Sequence, residues 1–156
     1  MQTKRFVIGL ALTTCLVSTA WAAGKPALAS AAQTEKGQHV EIRIAVGGQI
    51  MTAILNDTPT ARDFVALLPM TVTLRDYSPA EKVSDALPRR LSEDGAPANA
   101  VGETGDIAYY APWGNIAFYR GQGPDAPGVI RIGRILNGSD ALRQPGQIST
   151  TISRVE

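Results

Sequence analysis

The sequence predicts a mainly β chain closed into a barrel, with two short helices capping its ends. Three observations predict it. Apolar residues alternate with period two over 40–46 and 70–75, and at least seven strands can be read in all. Gly and Pro turn signals punctuate the gaps between these runs. Only two stretches carry helix-start chemistry, and both are too short for a helical layer.

The elements follow in order. Val40, Ile42, Ile44 and Val46 alternate with Glu41, Arg43 and Ala45, a half-buried strand. Gly47-Gly48 and a second strand over 50–55 complete a hairpin. Asn56-Asp57-Thr58-Pro59 is a helix start: Asp57 or Thr58 can accept from the first free N–H groups, and Pro59 fits the first turn. Ala61, Phe64, Val65 and Leu68 then form one apolar face, and Pro69 ends it. Met70, Val72 and Leu74 mark a third strand. From Asp76 to Gly105 the chain is polar and without sustained period, long enough to conceal short elements; Lys82-Val83-Ser84 and Arg90-Leu91-Ser92 are the candidates. Residues 106–111 and 115–120 are two strands around the turn Pro112-Trp113-Gly114. Gly121–Gly128 is a loop and 129–136 a strand. Residues 137–144 form the second short helix, capped by Asn137 or Ser139, and 147–155 the last strand.

The first 22 residues carry a different signal. Lys4 and Arg5 precede an apolar run from Phe6 to Val17, and Ala20-Trp21-Ala22 offers the small-x-small pattern of a cleavage site. The run is short for a membrane span, which needs about 20 apolar residues. We therefore expect a cleaved signal peptide over 1–22, with cleavage after Ala22 or Ala23, a periplasmic or secreted product, and no stable membrane insertion afterwards. Cys15 follows Thr13-Thr14, whereas a lipid-modified Cys wants a small residue directly before it, so Cys15 is expected to leave with the signal. Residues 23–38, rich in Ala, Lys, Gln and Ser, read as a flexible leader, and 39–156 as the folded domain. Removing the signal takes two bases and no acid. The formal +1 of the 15 bases and 14 acids becomes −1, and no nucleic-acid partner is expected.

Most catalytic chemistry lacks its residues. One His, at the domain edge, and one Cys, in the signal, leave no expected metal site, cofactor or catalytic residue. Glu93-Asp94 lacks the spacing of a calcium loop. Gly121 to Ala126 formally matches a dinucleotide fingerprint, but Pro124 and Pro127 block the helix it requires. Two groups remain as binding candidates. Lys82, Arg89 and Arg90 are suited to gripping an anion, or they form a solvated basic edge. Tyr77, Tyr109, Tyr110, Trp113 and Tyr119 form an aromatic group. Strand alternation sends Tyr109 and Tyr110 to opposite faces, one to the core and one to a groove. Trp113, at a turn tip, is hard to bury fully.

The order of these pieces resembles the cyclophilins. The run from Leu55 to Leu67, with Pro59-Thr60-Ala61-Arg62-Asp63-Phe64, resembles the entry to the helix that plugs one end of an eight-stranded barrel; Asp63 stands where that family has Asn. Gly105–Tyr110 and Gly114–Tyr119 look like its paired central strands, and Ile132–Leu142 like its late strand and second plugging helix. A closer likeness, carried by Asp76-Tyr77, Leu87-Pro88-Arg89-Arg90-Leu91 and Tyr110-Ala111-Pro112-Trp113-Gly114-Asn115, is to the small bacterial cyclophilin-like proteins, whose activity is unassigned. The resemblance implies a barrel of about eight strands. The residues of prolyl isomerisation look vacant. No Phe-His-Arg follows Met70, with Arg75 the nearest Arg by position. Gly114-Asn115-Ile116-Ala117-Phe118 replaces the Gly-Ser-Gln-Phe-Phe pattern and its Gln, and Pro124–Gly128 has no Trp. The expectation is an exported domain that binds a small molecule or peptide through Tyr77, Lys82, Arg89, Arg90, Tyr110 and Trp113 without catalysis. A weak prolyl isomerase using Arg75 or Arg89 is the alternative. The oligomeric state is left open.

Overall fold

The computed structural model describes residues 39–155; the expected signal peptide and leader lie outside the described residues. Ten strands form: β1 (Val40–Val46), β2 (Gln49–Leu55), β3 (Met70–Ser78), β4 (Glu81–Ser84), β5 (Asn99–Val101), β6 (Asp106–Tyr110), β7 (Asn115–Tyr119), β8 (Asp125–Pro127), β9 (Val129–Asn137) and β10 (Ile148–Arg154). Eight of them close a barrel in the order β1-β10-β3-β4-β7-β6-β9-β2, and every pairing is antiparallel. β5 and β8 pair separately as a two-stranded ribbon.

Alternation sorts the side chains. Ile42, Ile44, Met51, Leu55, Leu74, Ile107, Tyr109, Ile116, Phe118 and Ile132 fill the interior. One end is closed by α1 (Pro59–Val65). Thr58 is its N-cap, its hydroxyl accepting from the Ala61 N–H at 3.2 Å, and Phe64 is wholly buried. The opposite end carries a 3₁₀ helix (Ser139–Arg143) that buries Ala141 and Leu142. Here the sequence reading needs correction. The second helix is a single 3₁₀ stretch, and neither Asn137 nor Ser139 caps it. Gly138, in the left-handed region at φ 78°, makes the entry instead.

The long middle segment conceals more order than its composition suggests. Lys82-Val83-Ser84 does lie in a strand, but Arg90-Leu91-Ser92 does not. Its backbone is satisfied by side chains. The Leu91 N–H donates to the Tyr109 hydroxyl at 3.3 Å, the Ser92 N–H to Asp63 at 2.8 Å, and the Thr60 hydroxyl to the Ser92 carbonyl at 2.6 Å. With Leu87 and Leu91 buried, the segment packs beside α1 without pairing to a strand. Asp63, in the position where cyclophilins carry Asn, is thus the tie between α1 and this segment. The Arg89 guanidinium, and then the Ser92 N–H, hold its carboxyl below the usual range.

Lys82 is fully buried at the 3₁₀ end. Its ammonium lies 3.0 Å from Asp76 and donates to the Gly146 carbonyl at 2.9 Å. The Lys82 hydrogen bond first, then the Gly146 N–H, pull Asp76 down to about 2, with Arg120 at 2.8 Å adding to the effect. A folded-state pKa below the unfolded value of 3.8 stabilises above that value and is lost as pH falls toward 2. The thermal midpoint should therefore drop between pH 4 and pH 2. The Asp76→Asn variant should start lower at pH 5 and fall less steeply. Equal acid slopes for the two proteins would refute this.

Candidate binding cleft

The outer wall of the barrel holds a second apolar cluster. Val83, Ala108, Ala117, Tyr119 and Val129 face outward from β4, β6, β7 and β9, and the β5–β8 ribbon lays Ala100 and Ala126 over them. Ala108 and Ala117, paired in register, keep the wall low. Between wall and ribbon lies a cleft of about 100 Å³.

The rim is aromatic. Trp113, at the tip of the β6–β7 turn, meets Tyr77 and Tyr110 edge-on, each with centroids 5.3 Å apart. Trp113 is 48% exposed and Tyr77 57%. Two devices aim them. A bulge in β3 between Asp76 and Ser78 leaves Tyr77 extra in the ladder and turns it to the cleft. Arg90 holds the turn from below, its guanidinium donating to the carbonyls of Ala111 and Pro112.

The inner end is polar. Glu81 stands directly across from Tyr119 in the β4–β7 ladder. Glu81 is 8% exposed, and its carboxylate has no hydrogen bond or ion pair among the described residues. Burial pushes its carboxyl above the usual range. Tyr119 is pushed up to about 12 by burial, then by the charge of Glu81, and stays protonated. Its ring lies flat under Gly102, where even a methyl group would collide with it. Asn115, 2% exposed, lines the cleft four residues before Tyr119. Its amide nitrogen donates to the Ser84 carbonyl at 3.0 Å, while its Oδ1 accepts nothing.

The structure brings Tyr77, Tyr110 and Trp113 together and sends the basic candidates elsewhere. Lys82 faces the barrel interior. Arg89 reaches α1, 3.2 Å from the Asp63 carboxylate. Arg90 supports the cleft without lining it. Glu81 and Asn115 were passed over in the sequence. Parity along β4 and β7 would have found them, since Glu81 shares a face with Val83, and Asn115 with Ala117 and Tyr119. A larger depression of about 620 Å³ surrounds Asp106, Arg131 and Arg134, but its charges satisfy one another: Asp106 lies 3.1 Å from Arg134 and 3.6 Å from Arg131. Among the described residues no three His, Cys, Asp or Glu side chains group closely enough to hold a metal ion.

Fold and cleft together define a class: a closed eight-stranded antiparallel barrel, plugged at both ends, with a ribbon-covered cleft on its outer wall. The chain belongs to the Cyclophilin-like family, whose model matches residues 44–153. Among solved structures it is similar to the hypothetical protein AF2241 from Archaeoglobus fulgidus. The two share 22% identity over 78% of this chain and 99% of the other, with a TM-score of 0.58. That likeness concerns the fold. No curated protein matches the sequence.

Proposed function

We propose that the protein is an exported cyclophilin-like domain that binds a small ligand or peptide in the outer-wall cleft and catalyses no reaction. The observation that carries this reading is the exposed aromatic rim over an apolar floor. Trp113 and Tyr77 stay half-exposed although the interior is well filled, and Arg90 spends its hydrogen bonds holding the Trp113 turn in place.

Trp113 supplies the readout. In the full chain with Trp21→Phe it is the only tryptophan, so its emission reports the cleft. Peptides and small molecules that bind should shift that emission. The Trp113→Ala variant, followed by calorimetry, should lose about 2 kcal/mol or more of binding free energy, the usual cost of removing a Trp anchor. Unchanged affinity would rule the cleft out.

Export rests on the first 22 residues. Protein recovered from the periplasm or medium should begin at Ala23 or Gly24. An N-terminus at Met1 in that fraction would defeat the signal-peptide reading.

One observation favours a weak prolyl isomerase as the second reading. Arg75 pairs in register with the cleft-lining Val83 on the wall beside Tyr77. Its guanidinium is engaged by Asp85, which leaves it poorly placed for a substrate. A protease-coupled proline-peptide assay separates the readings: we expect no turnover above the spontaneous rate. Turnover abolished by Arg75→Ala or Arg89→Ala would overturn the binding-only view.

A further inference from the structure

The cleft's chemistry is one-sided. Among the described residues no Lys, Arg or His lines it, and its one charge is the Glu81 carboxylate. Glu81 as a residue is only 8% exposed, and its carboxylate, which keeps contact with the open cleft, has no hydrogen-bond or ion-pair partner among the described residues. A buried carboxylate is ordinarily paired or hydrogen-bonded, because leaving it alone is costly. The buried unpartnered atom at the cleft, Asn115 Oδ1, is also an acceptor, and its orientation is set by the bond from its amide nitrogen to Ser84. What the cleft lacks is therefore donors and positive charge. Its walls suit the same occupant. Tyr77, Tyr110 and Trp113 line the cleft, and aromatic rings carry on their faces the negative quadrupole that attracts a desolvated cation. The 100 Å³ space is well above the roughly 10–15 Å³ that a single water needs, and has room for an ammonium head with a few carbons.

We propose that the outer-wall cleft is an organic-cation site, taking an alkylammonium group with Glu81 as counter-ion and the surrounding aromatic rings as its cage. This deepens the binding reading and rests on it. The occupant is an amine, as a free metabolite or as the side chain of a bound peptide. The basic residues that the sequence offered for gripping an anion serve elsewhere: Arg89 on Asp63, Lys82 on Asp76 and Arg90 on the Trp113 turn. Glu81 is thus held uncompensated until a ligand supplies the charge. Replacing it with Gln removes the buried charge at nearly the same volume, so the Glu81→Gln variant should fold at least as well as the parent.

The test uses three probes of one shape on the full chain carrying Trp21→Phe: n-pentylammonium, 1-pentanol and pentanoate. Binding is read by Trp113 emission and by amide shifts of β4 and β7. The ammonium should bind about tenfold or more tightly than the alcohol, the scale of a charged hydrogen bond, and pentanoate should bind more weakly than either. Glu81→Gln should bring the ammonium to the level of the alcohol and leave the alcohol unchanged. Equal binding of ammonium and alcohol, with no effect of Glu81→Gln, would overturn the cation site while leaving the cleft as a binding site. Preference for pentanoate would overturn it in the same way. If no probe of any charge moves Trp113 or β4 and β7, and no peptide does, the binding reading falls together with the cation site. Because the probe series is read on the parent as well, the result does not depend on how the variant folds.

Discussion

Truncating Phe64 to Ala should cost about 3–5 kcal/mol of folding free energy, measured by urea denaturation at constant slope. Phe64 is wholly buried and is the largest side chain that α1 contributes to the plug. The helix has seven residues, too few to persist without packing. Its remaining ties are the Thr58 cap, the Thr60 hydroxyl on Ser92 and the Asp63 carboxylate on Arg89 and Ser92. None of these replaces the ring, and the neighbouring barrel strands are paired on both sides, so the site has little freedom to collapse. A loss of this size is a large share of the roughly 5–15 kcal/mol that holds a typical domain. The Trp113 cleft lies on the outer wall, so any ligand affinity measured at low temperature should survive the substitution. A cost below about 1 kcal/mol would show that α1 is not the plug that the packing describes.

Gly138→Ala should act at the opposite end, costing about 2–4 kcal/mol as backbone strain and steric overlap add. Gly138 has φ 78°, where a β-carbon is disfavoured. A methyl group there would also run into the carbonyl oxygen of Ile50 and the Cα of Met51, both backbone atoms that cannot rotate away. The chain must turn at this point to leave β9 and bring Ala141 and Leu142 over the barrel mouth. Thermal denaturation should show a lower midpoint, and amide exchange should quicken first around the 3₁₀ helix. The Ser139→Ala variant is the control. It makes no cap hydrogen bond, so its midpoint should stay near that of the parent. Tolerance of Ala at 138 would mean that the turn can relax as a unit.

Part of the barrel was legible because some of its strands obey one rule over five or more residues. Val40–Val46 and Met70–Leu74 each carry a period that survives without knowledge of neighbours. α1 was legible from Thr58-Pro59 and the spacing of Ala61, Phe64 and Val65. The elements that escaped are those whose reason lies elsewhere in the chain. β5 and β8 have three residues each, below the length at which a period exists, and they are strands because they pair with each other over the wall. Arg90-Leu91-Ser92 looked like a strand from its residues, yet Tyr109, Asp63 and Thr60 meet its backbone needs. The 3₁₀ helix looked capped, but a left-handed glycine enters it.

The cleft divides in the same way. Residue type alone marked Tyr77, Tyr110 and Trp113, since large amphipathic rings at turns and outward positions resist complete burial. Residue type could not sort the charges. Lys82 and Glu81 are neighbours, and strand parity sends one to the barrel interior and the other to the outer wall, where the β5–β8 ribbon closes over it. The sequence by itself determined the class of chain, a β barrel with one His and one Cys, because alternation and residue counts are local or additive properties. Only the tertiary structure decided that Asp76 neutralises the buried lysine while the buried glutamate stands alone. Burial and pairing belong to atoms brought together from β3, β4, β7 and the ribbon, and no stretch of sequence contains that meeting.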